Sequence, residues 1–418
     1  MHNLLVLAFD GLQPASLGPY GNTWIATPNW NRLAERSLLL ERCWADAPDL
    51  PSIYRALWNG RPSWAPHREG VGPSLPALLQ ASGRRTLLLT DDARVIEFPA
   101  ADKFDEQVVV PIPDRDAACA EWTATALAEF FATGAAALDE LRTPFAAWWH
   151  CGSLGRLWDA PYDYRARLAD EEDPAPPEHT HPPYGPIPAD VDPDTLLGER
   201  QAAAAQVAVL DDCLGAFLDE WDASPLAKST WLIVLSTRGF PLGEHARWGW
   251  NDVDLNRETL HQVLFLCAPD GAEAAERSLQ LAQPHDLAAN LAARLDLPRP
   301  DASAWWSGPP WSAFSNVAES ARDRFFVASG ERTPTTRQFG IGTEAWWLID
   351  APVADDATRA TKLYYKPDDY FEINDVADRR NDVADALLDE LRRWTERLAT
   401  GDETAPLEPL PDAVEATA

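Results

Sequence analysis

Asn3-Leu4-Leu5-Val6-Leu7-Ala8-Phe9-Asp10-Gly11 is a continuous apolar run closed by an acid and a glycine. Without polar alternation, such a run reads as a strand buried on both faces, the kind found in parallel sheets with helices on either side. In open α/β sheets the ligand-handling groups sit just past the carboxyl ends of the strands, so Asp10 is delivered to the mouth of a site. Leu17-Gly18-Pro19-Tyr20-Gly21 follows as a turn. Thr27-Pro28-Asn29-Trp30-Asn31-Arg32-Leu33-Ala34 then predicts a helix with Thr27 as N-cap and Pro28 at the first helical position. Asp49 to Gly60 predicts a loop running into a short helix.

Working outward, Arg84 to Asp92 repeats the grammar of the first strand, with a basic entry, an apolar run and an acidic exit, and is expected beside it. Residues 144–150 give a third buried strand, whose exit at 151–155 is a candidate site loop, and 231–236 a further strand. Helical spacing is seen over 115–141, 199–221 and 286–297. Residues 169–194, rich in Asp, Glu and Pro, predict a loop, a solvated linker in preference to a lid, with His179 and His181 solvated. Beyond about residue 300, aromatic runs at 325–328, 345–349 and 362–365 and a helix over 383–398 predict a small antiparallel sheet with one covering helix. The expected organisation is an α/β domain over 1–300, a β-rich subdomain with its helix over 301–400, and a disordered acidic tail over 401–418.

The 418 residues carry 66 Asp and Glu against 35 Lys and Arg, a net charge of −31. That field repels phosphate backbones and anionic headgroups, so nucleic acid and membrane are not expected partners. Cys43, Cys119, Cys151, Cys213 and Cys267 lack CxxC spacing, and buried free thiols are expected. The first apolar run has no basic flank or small-residue cleavage site, and no run approaches the ~20 residues of a membrane helix, so a cytoplasmic location is expected.

The opening resembles the sulfatases of the alkaline phosphatase superfamily, which start with a strand ending in paired aspartates, a Gly-x-Tyr-Gly turn, a Thr-Pro-Asn-x-x-x-Leu-Ala helix, and Cys-x-Pro-Ser-Arg before Thr-Gly-Arg-x-Pro. The likeness continues through Thr230 to Ser236, Leu242-Gly243-Glu244-His245, and Leu363-Tyr364-Tyr365 through Asn374-Asp375. It implies a large central sheet flanked by helices plus a small C-terminal antiparallel sheet and helix. It also implies sulfuric ester hydrolysis with Ca2+ and an aldehyde nucleophile made from cysteine or serine.

Carried over position by position, that chemistry is largely missing. Asp10 keeps the first aspartate, but Gly11 stands at the second. The nucleophile position falls on Asp49, a carboxylate, with Ser52 at the family serine. Ile53 replaces the arginine, and Arg55 lies in a segment one residue longer, able to reach the same space from the next turn. The Gly-Lys-Trp-His after the second strand falls on Thr90-Asp91-Asp92-Ala93, so two acids and a methyl group replace the cation and the imidazole, and the late Asp-His pair becomes Thr237 and Arg238. Calcium wants about six to eight oxygens, and a fixed guanidinium makes the cation less welcome still. No intact catalytic residue, metal site or cofactor is therefore expected. Glu244 and His245 are expected as structural groups near a helix start. The leading expectation is a sulfatase-like protein with a lost or impaired site, acting as a binding or structural protein for an unknown protein or small-molecule partner. The alternative is an active sulfate or phosphate ester hydrolase with a rewired site, with Asp49 as nucleophile or Asp10, Asp49 and Asp91 around a metal. The residues also predict that Arg238 takes the place of the cation by pairing with Asp10, Asp49 or both.

Overall fold

A computed structural model describes residues 1–66, 72–298, 300, 305, 310–312, 322–329, 337–352, 359–400, 407–411 and 414. Its strands are β1 (Asn3–Gly11), β2 (Leu38–Trp44), β3 (Arg85–Thr90), β4 (Glu106–Val109), β5 (Phe145–Cys151), β6 (Gly185–Pro186), β7 (Thr230–Gly239), β8 (Arg247–Trp248), β9 (His261–Gln262), β10 (Leu264–Cys267), β11 (Glu276–Ala282), β12 (Arg324–Ala328), β13 (Phe339–Thr343), β14 (Trp346–Pro352) and β15 (Arg359–Tyr365). Its helices are α1 (Pro28–Ala34), α2 (Leu50–Asn59), α3 (Leu75–Ala81), α4 (Ala126–Glu140), α5 (Tyr162–Ala166), α6 (Pro193–Ala223), α7 (Arg257–Leu260), α8 (Asp286–Arg294) and α9 (Asn381–Thr400).

The main sheet runs β11-β2-β10-β7-β1-β5-β3-β4, with β9 joined to β2, so the opening strand lies near its centre. Pairing of β1 with β5 and β7 is parallel, while β10 is antiparallel to its neighbours. The alternation of a strand puts Leu4, Val6 and Ala8 in one core layer with α2, α3 and α8, and Leu5, Leu7 and Phe9 in the other with α1, α4 and α6. The expected neighbour of β1 is corrected. β5 is inserted between β1 and β3, because every residue of β5 is buried, whereas β3 starts with an exposed Arg85 and borders the mostly exposed β4.

Several local expectations also change. Thr27 does not cap α1. Its hydroxyl accepts the Gly18 N–H at 2.8 Å, and the buried carboxylate of Asp211 on α6 accepts the N–H groups of Asn29 and Trp30, each at 3.0 Å. The helix expected from residue 115 begins only at Ala126, where Thr125 supplies an N-cap. Residues 169–194 are mostly exposed, and the buried Arg165 donates to the carbonyl oxygens of Pro177 and His179 and so pins the segment. The segment then pairs β6 with β8. His179 meets Glu199 at 3.0 Å.

The small sheet is the antiparallel meander β12-β13-β14-β15. Its second strand escaped the sequence reading because Phe-Gly-Ile-Gly-Thr carries two glycines. Their missing side chains make room for rings, since a Cβ at Gly340 would lie 2.5 Å from Trp347 and one at Gly342 2.2 Å from Phe325. The two faces of this sheet serve different layers. Phe325, Val327, Trp347, Ile349 and Tyr364 join the core of the main sheet, whereas Phe326, Leu348 and Leu363 pack with Leu387, Leu391 and Trp394 of α9. Within 401–418, where composition predicts disorder, Leu410 and Val414 are buried against that second cluster, and Arg324 donates to the Glu408 carbonyl at 2.6 Å. Residues 401–406, 412–413 and 415–418 lie outside the described residues. Among the described residues no helix is long and apolar enough to cross a membrane. Cys43, Cys151, Cys213 and Cys267 are buried free thiols, and Cys119 is half-buried.

Candidate functional site

The site is built where β1 and β7 end together. Phe9 pairs with Ser236 but Asp10 pairs with Arg238, so the register slips by one and two residues of β7, Thr237 and Arg238, oppose a single Asp10. A bulge of this kind re-aims side chains at a strand end. Both side chains turn to the carboxylate. The Thr237 hydroxyl donates to Asp10 Oδ1 at 2.8 Å, Arg238 Nε donates to the same oxygen at 3.0 Å, and Arg238 Nη2 reaches Oδ2 at 3.3 Å. The two charged side chains are 4% and 1% exposed, which makes the pair a buried one. Arg238 Nη1 also donates to the Pro48 carbonyl at 3.1 Å, with Asp252 at 3.5 Å, and the guanidinium lies 4.3 Å from the ring of Trp250.

Asp49 is not a partner of Arg238, contrary to one arm of the expectation. It is the N-cap of α2, accepting the Ser52 N–H at 2.9 Å, and the guanidinium stops one residue earlier on the Pro48 carbonyl. Burial raises the Asp49 pKa, and its second oxygen is buried without a partner. Ser52 lies in the first turn of that helix. Arg55, expected as a substitute at the family arginine position, gives its guanidinium to the Ser63 carbonyl. Gly11 has φ +100°, and a Cβ built there would sit 3.2 Å from Leu154 and 3.4 Å from Trp250, so the space of a second aspartate is filled.

The exits of β3 and β5 face each other. Asp91 accepts the N–H groups of Gly152 and Ser153 at 2.6 and 3.0 Å, and burial pushes its pKa up to about 6. The 151–155 loop is thus brought to the site as the sequence suggests. Asp92 binds Arg94 at 2.7 Å and also Arg156. Burial alone would raise its pKa, but these guanidinium groups hold it well below the usual carboxylate range. Asp10, Asp92, Arg156 and Arg238 all act electrostatically on His150, whose pKa burial lowers to about 4. Trp148 donates to the Tyr54 hydroxyl at 3.2 Å, and that hydroxyl lies 2.7 Å from His150 Nδ1. Burial thus favours the neutral imidazole, and its Nε2 is a buried atom without a hydrogen-bond partner. Asp10 is thus paired with Arg238, and Asp92 with Arg94 and Arg156, whereas Asp91 accepts from two backbone N–H groups and the Cys151 thiol. Among the described residues no group of three or more His, Cys, Asp or Glu side chains is placed to hold a metal ion, and the suggested trio of Asp10, Asp49 and Asp91 forms no such group.

Sequence reasoning missed Tyr54, His150, Arg94, Arg156, Tyr184 and Trp250. The histidine closing the β5 run and the arginine just past its exit loop are the signals that could have found two of them. Tyr184, on the 169–194 segment, donates to the Gly155 carbonyl at 2.6 Å and sets its ring edge-on to Phe240 and Trp250, so that segment straps the mouth.

Glu244 and His245 lie in the turn between β7 and β8, not at a helix start, because His245 is drawn to groups on two other parts of the chain. It is 2.7 Å from the Glu258 carboxylate and 3.2 Å from the Glu372 carbonyl. Burial would lower its pKa, but the Glu258 carboxylate prevails and raises it to about 9. A raised folded pKa contributes stability that is complete below about pH 6.5 and is lost as pH rises through about 9. The stability gap between wild type and His245→Gln, measured in urea, should therefore shrink by up to about 3 kcal/mol from pH 6 to pH 10; a gap that does not change with pH would show that the imidazole is not charged there.

No family model matches the chain. Human iduronate 2-sulfatase is 24% identical over 69% of this chain, and the match spans 64% of that relative's length. Phosphonate monoester hydrolase of Agrobacterium radiobacter superposes with TM-score 0.71 at 16% identity, covering 96% of each chain. A 2-O GAG sulfatase superposes with TM-score 0.73 at 14% identity, covering 100% of this chain and 96% of its own. At these identities the structural likeness establishes the fold.

Proposed function

We propose that this chain, a divergent sulfatase homologue, is a binding protein in which the Arg238 guanidinium has replaced the divalent cation of its active relatives. The observation that carries the reading is the buried fork of Arg238 on Asp10, with Thr237 donating to the same carboxylate. Calcium needs about six to eight oxygen ligands, while both Asp10 oxygens already accept hydrogen bonds and a permanent cation sits against them. The residues around Asp10 do not fit a divalent ion. Asp49, at the nucleophile position, caps a helix and cannot become an aldehyde.

The test pairs a melting scan with turnover of an aryl sulfate, each with and without excess Ca2+. A ligand at a hundredfold its Kd adds about 2.7 kcal/mol to the native state, so calcium should leave the melting temperature unchanged and no sulfate should be released. A clear rise in melting temperature, with turnover that disappears in Asp10→Ala, would establish the hydrolase reading in its place.

A further inference from the structure

A cavity of about 460 Å³ opens beside this centre. It shares Gly11 and Leu154 with the wall of the site but includes none of Asp10, Asp49, Asp91, Asp92 or Arg238. Its volume lies within the range of about 300–1,000 Å³ typical of small-molecule sites. Ala203, Ala204 and Val207 give it a smooth apolar wall on α6, and Trp158 and Phe240 add a pair of rings in edge contact at 5.7 Å.

Around its lining stand Trp24, Phe371 and Ile373, which are 46%, 55% and 74% exposed. A single exposed apolar side chain is ordinary, but three around one cavity, one from near the start of a highly charged chain and two from the turn at 371–373, are not. The polar groups are few. Arg200 Nε donates to the Leu242 carbonyl at 3.1 Å, and Glu244 accepts the Leu242 N–H at 2.6 Å. Gln13 donates its amide N–H to the Phe240 carbonyl at 2.6 Å, which leaves its amide oxygen as an acceptor. Arg200 and Glu244 cancel in charge, so an anion meets Glu244 and the field of a −31 chain, and a cation meets Arg200.

We propose that this cavity binds a neutral, ring-bearing molecule with one hydroxyl group, its rings between α6 and the exposed aromatic residues and its hydroxyl accepting from Arg200 and donating to Gln13. The site is separate from the Asp10 centre and stands whether or not that centre hydrolyses esters.

The probe is 2-naphthol, neutral at pH 7, titrated into the full chain and followed by its fluorescence. Saturable binding of one molecule per chain is expected. Ala203→Phe fills the cavity from α6, and Ser16→Phe fills it from a half-buried position that tolerates a larger side chain if the helix does not. Each should weaken binding at least about tenfold, and so should replacing the probe by 2-naphthyl sulfate. Absence of saturable 2-naphthol binding, undiminished binding in the folded variants, or tighter binding of the sulfate ester would each overturn the proposal.

Discussion

Arg238→Ala should lower the unfolding free energy by about 3–5 kcal/mol, because it leaves the buried Asp10 carboxyl without its cationic partner and with the Thr237 hydroxyl as its remaining side-chain donor. Asp10 is fully buried, so its carboxyl depends on partners within the protein. Arg238→Lys keeps the charge but not the planar fork, and should recover only part of the loss. Asp10→Leu combined with Arg238→Met removes both charges and should be much less costly than either single change, since a buried ion pair contributes little net stability relative to well-packed apolar groups. Urea unfolding of these variants measures this. A loss below about 0.5 kcal/mol for Arg238→Ala is what an exposed arginine would give, and it would remove the basis for treating Arg238 as a substitute cation.

Gly239→Ala should cost more than about 3 kcal/mol or abolish folding. A Cβ at Gly239 would lie 2.0 Å from the carbonyl oxygen of Glu258 and 2.6 Å from Gln13. The first of these is backbone of α7 and cannot turn aside, so the end of β7 would have to shift and carry Arg238 away from Asp10. Gly21→Ala is the control. Gly21 has φ +99°, but a Cβ added there would meet no atom within 4 Å, so only the backbone strain of about 1 kcal/mol applies. Near-UV circular dichroism and unfolding midpoints compare the two; equal effects would mean that the close approach at Gly239 relaxes freely.

Much of this architecture is legible in the sequence because its signals are local. The run from Asn3 to Gly11 places Asp10 at a strand end, and the matching run before Thr237 and Arg238 brings those residues to a strand end as well. What was not legible depends on partners distant in the chain. The cap of α1 comes from Asp211 on α6, the partner of the Tyr54 hydroxyl is His150, and the strap bearing Tyr184 is pinned by Arg165 and by pairing with β8. The position of β5 next to β1 had no sequence signal beyond its complete burial. Asp49 shows the limit of reading a site from motif positions: the resemblance puts the residue at the nucleophile position, whereas in the fold its carboxylate is turned back to cap its own helix.

The two-sided sheet β12–β15 has a consequence for synthesis. One of its faces supplies Phe325, Val327, Trp347, Ile349 and Tyr364 to the core that Leu4, Val6 and Ala8 begin. β1 therefore waits for strands made about 300 residues later before its layer is closed. Until β12 emerges, Trp44 lacks the Phe325 ring that stacks on it at 5.1 Å in the finished molecule. The nascent chain thus carries an open apolar seam from the synthesis of β1 to that of β12–β15, and the window in which a chaperone would be needed is set by those later strands.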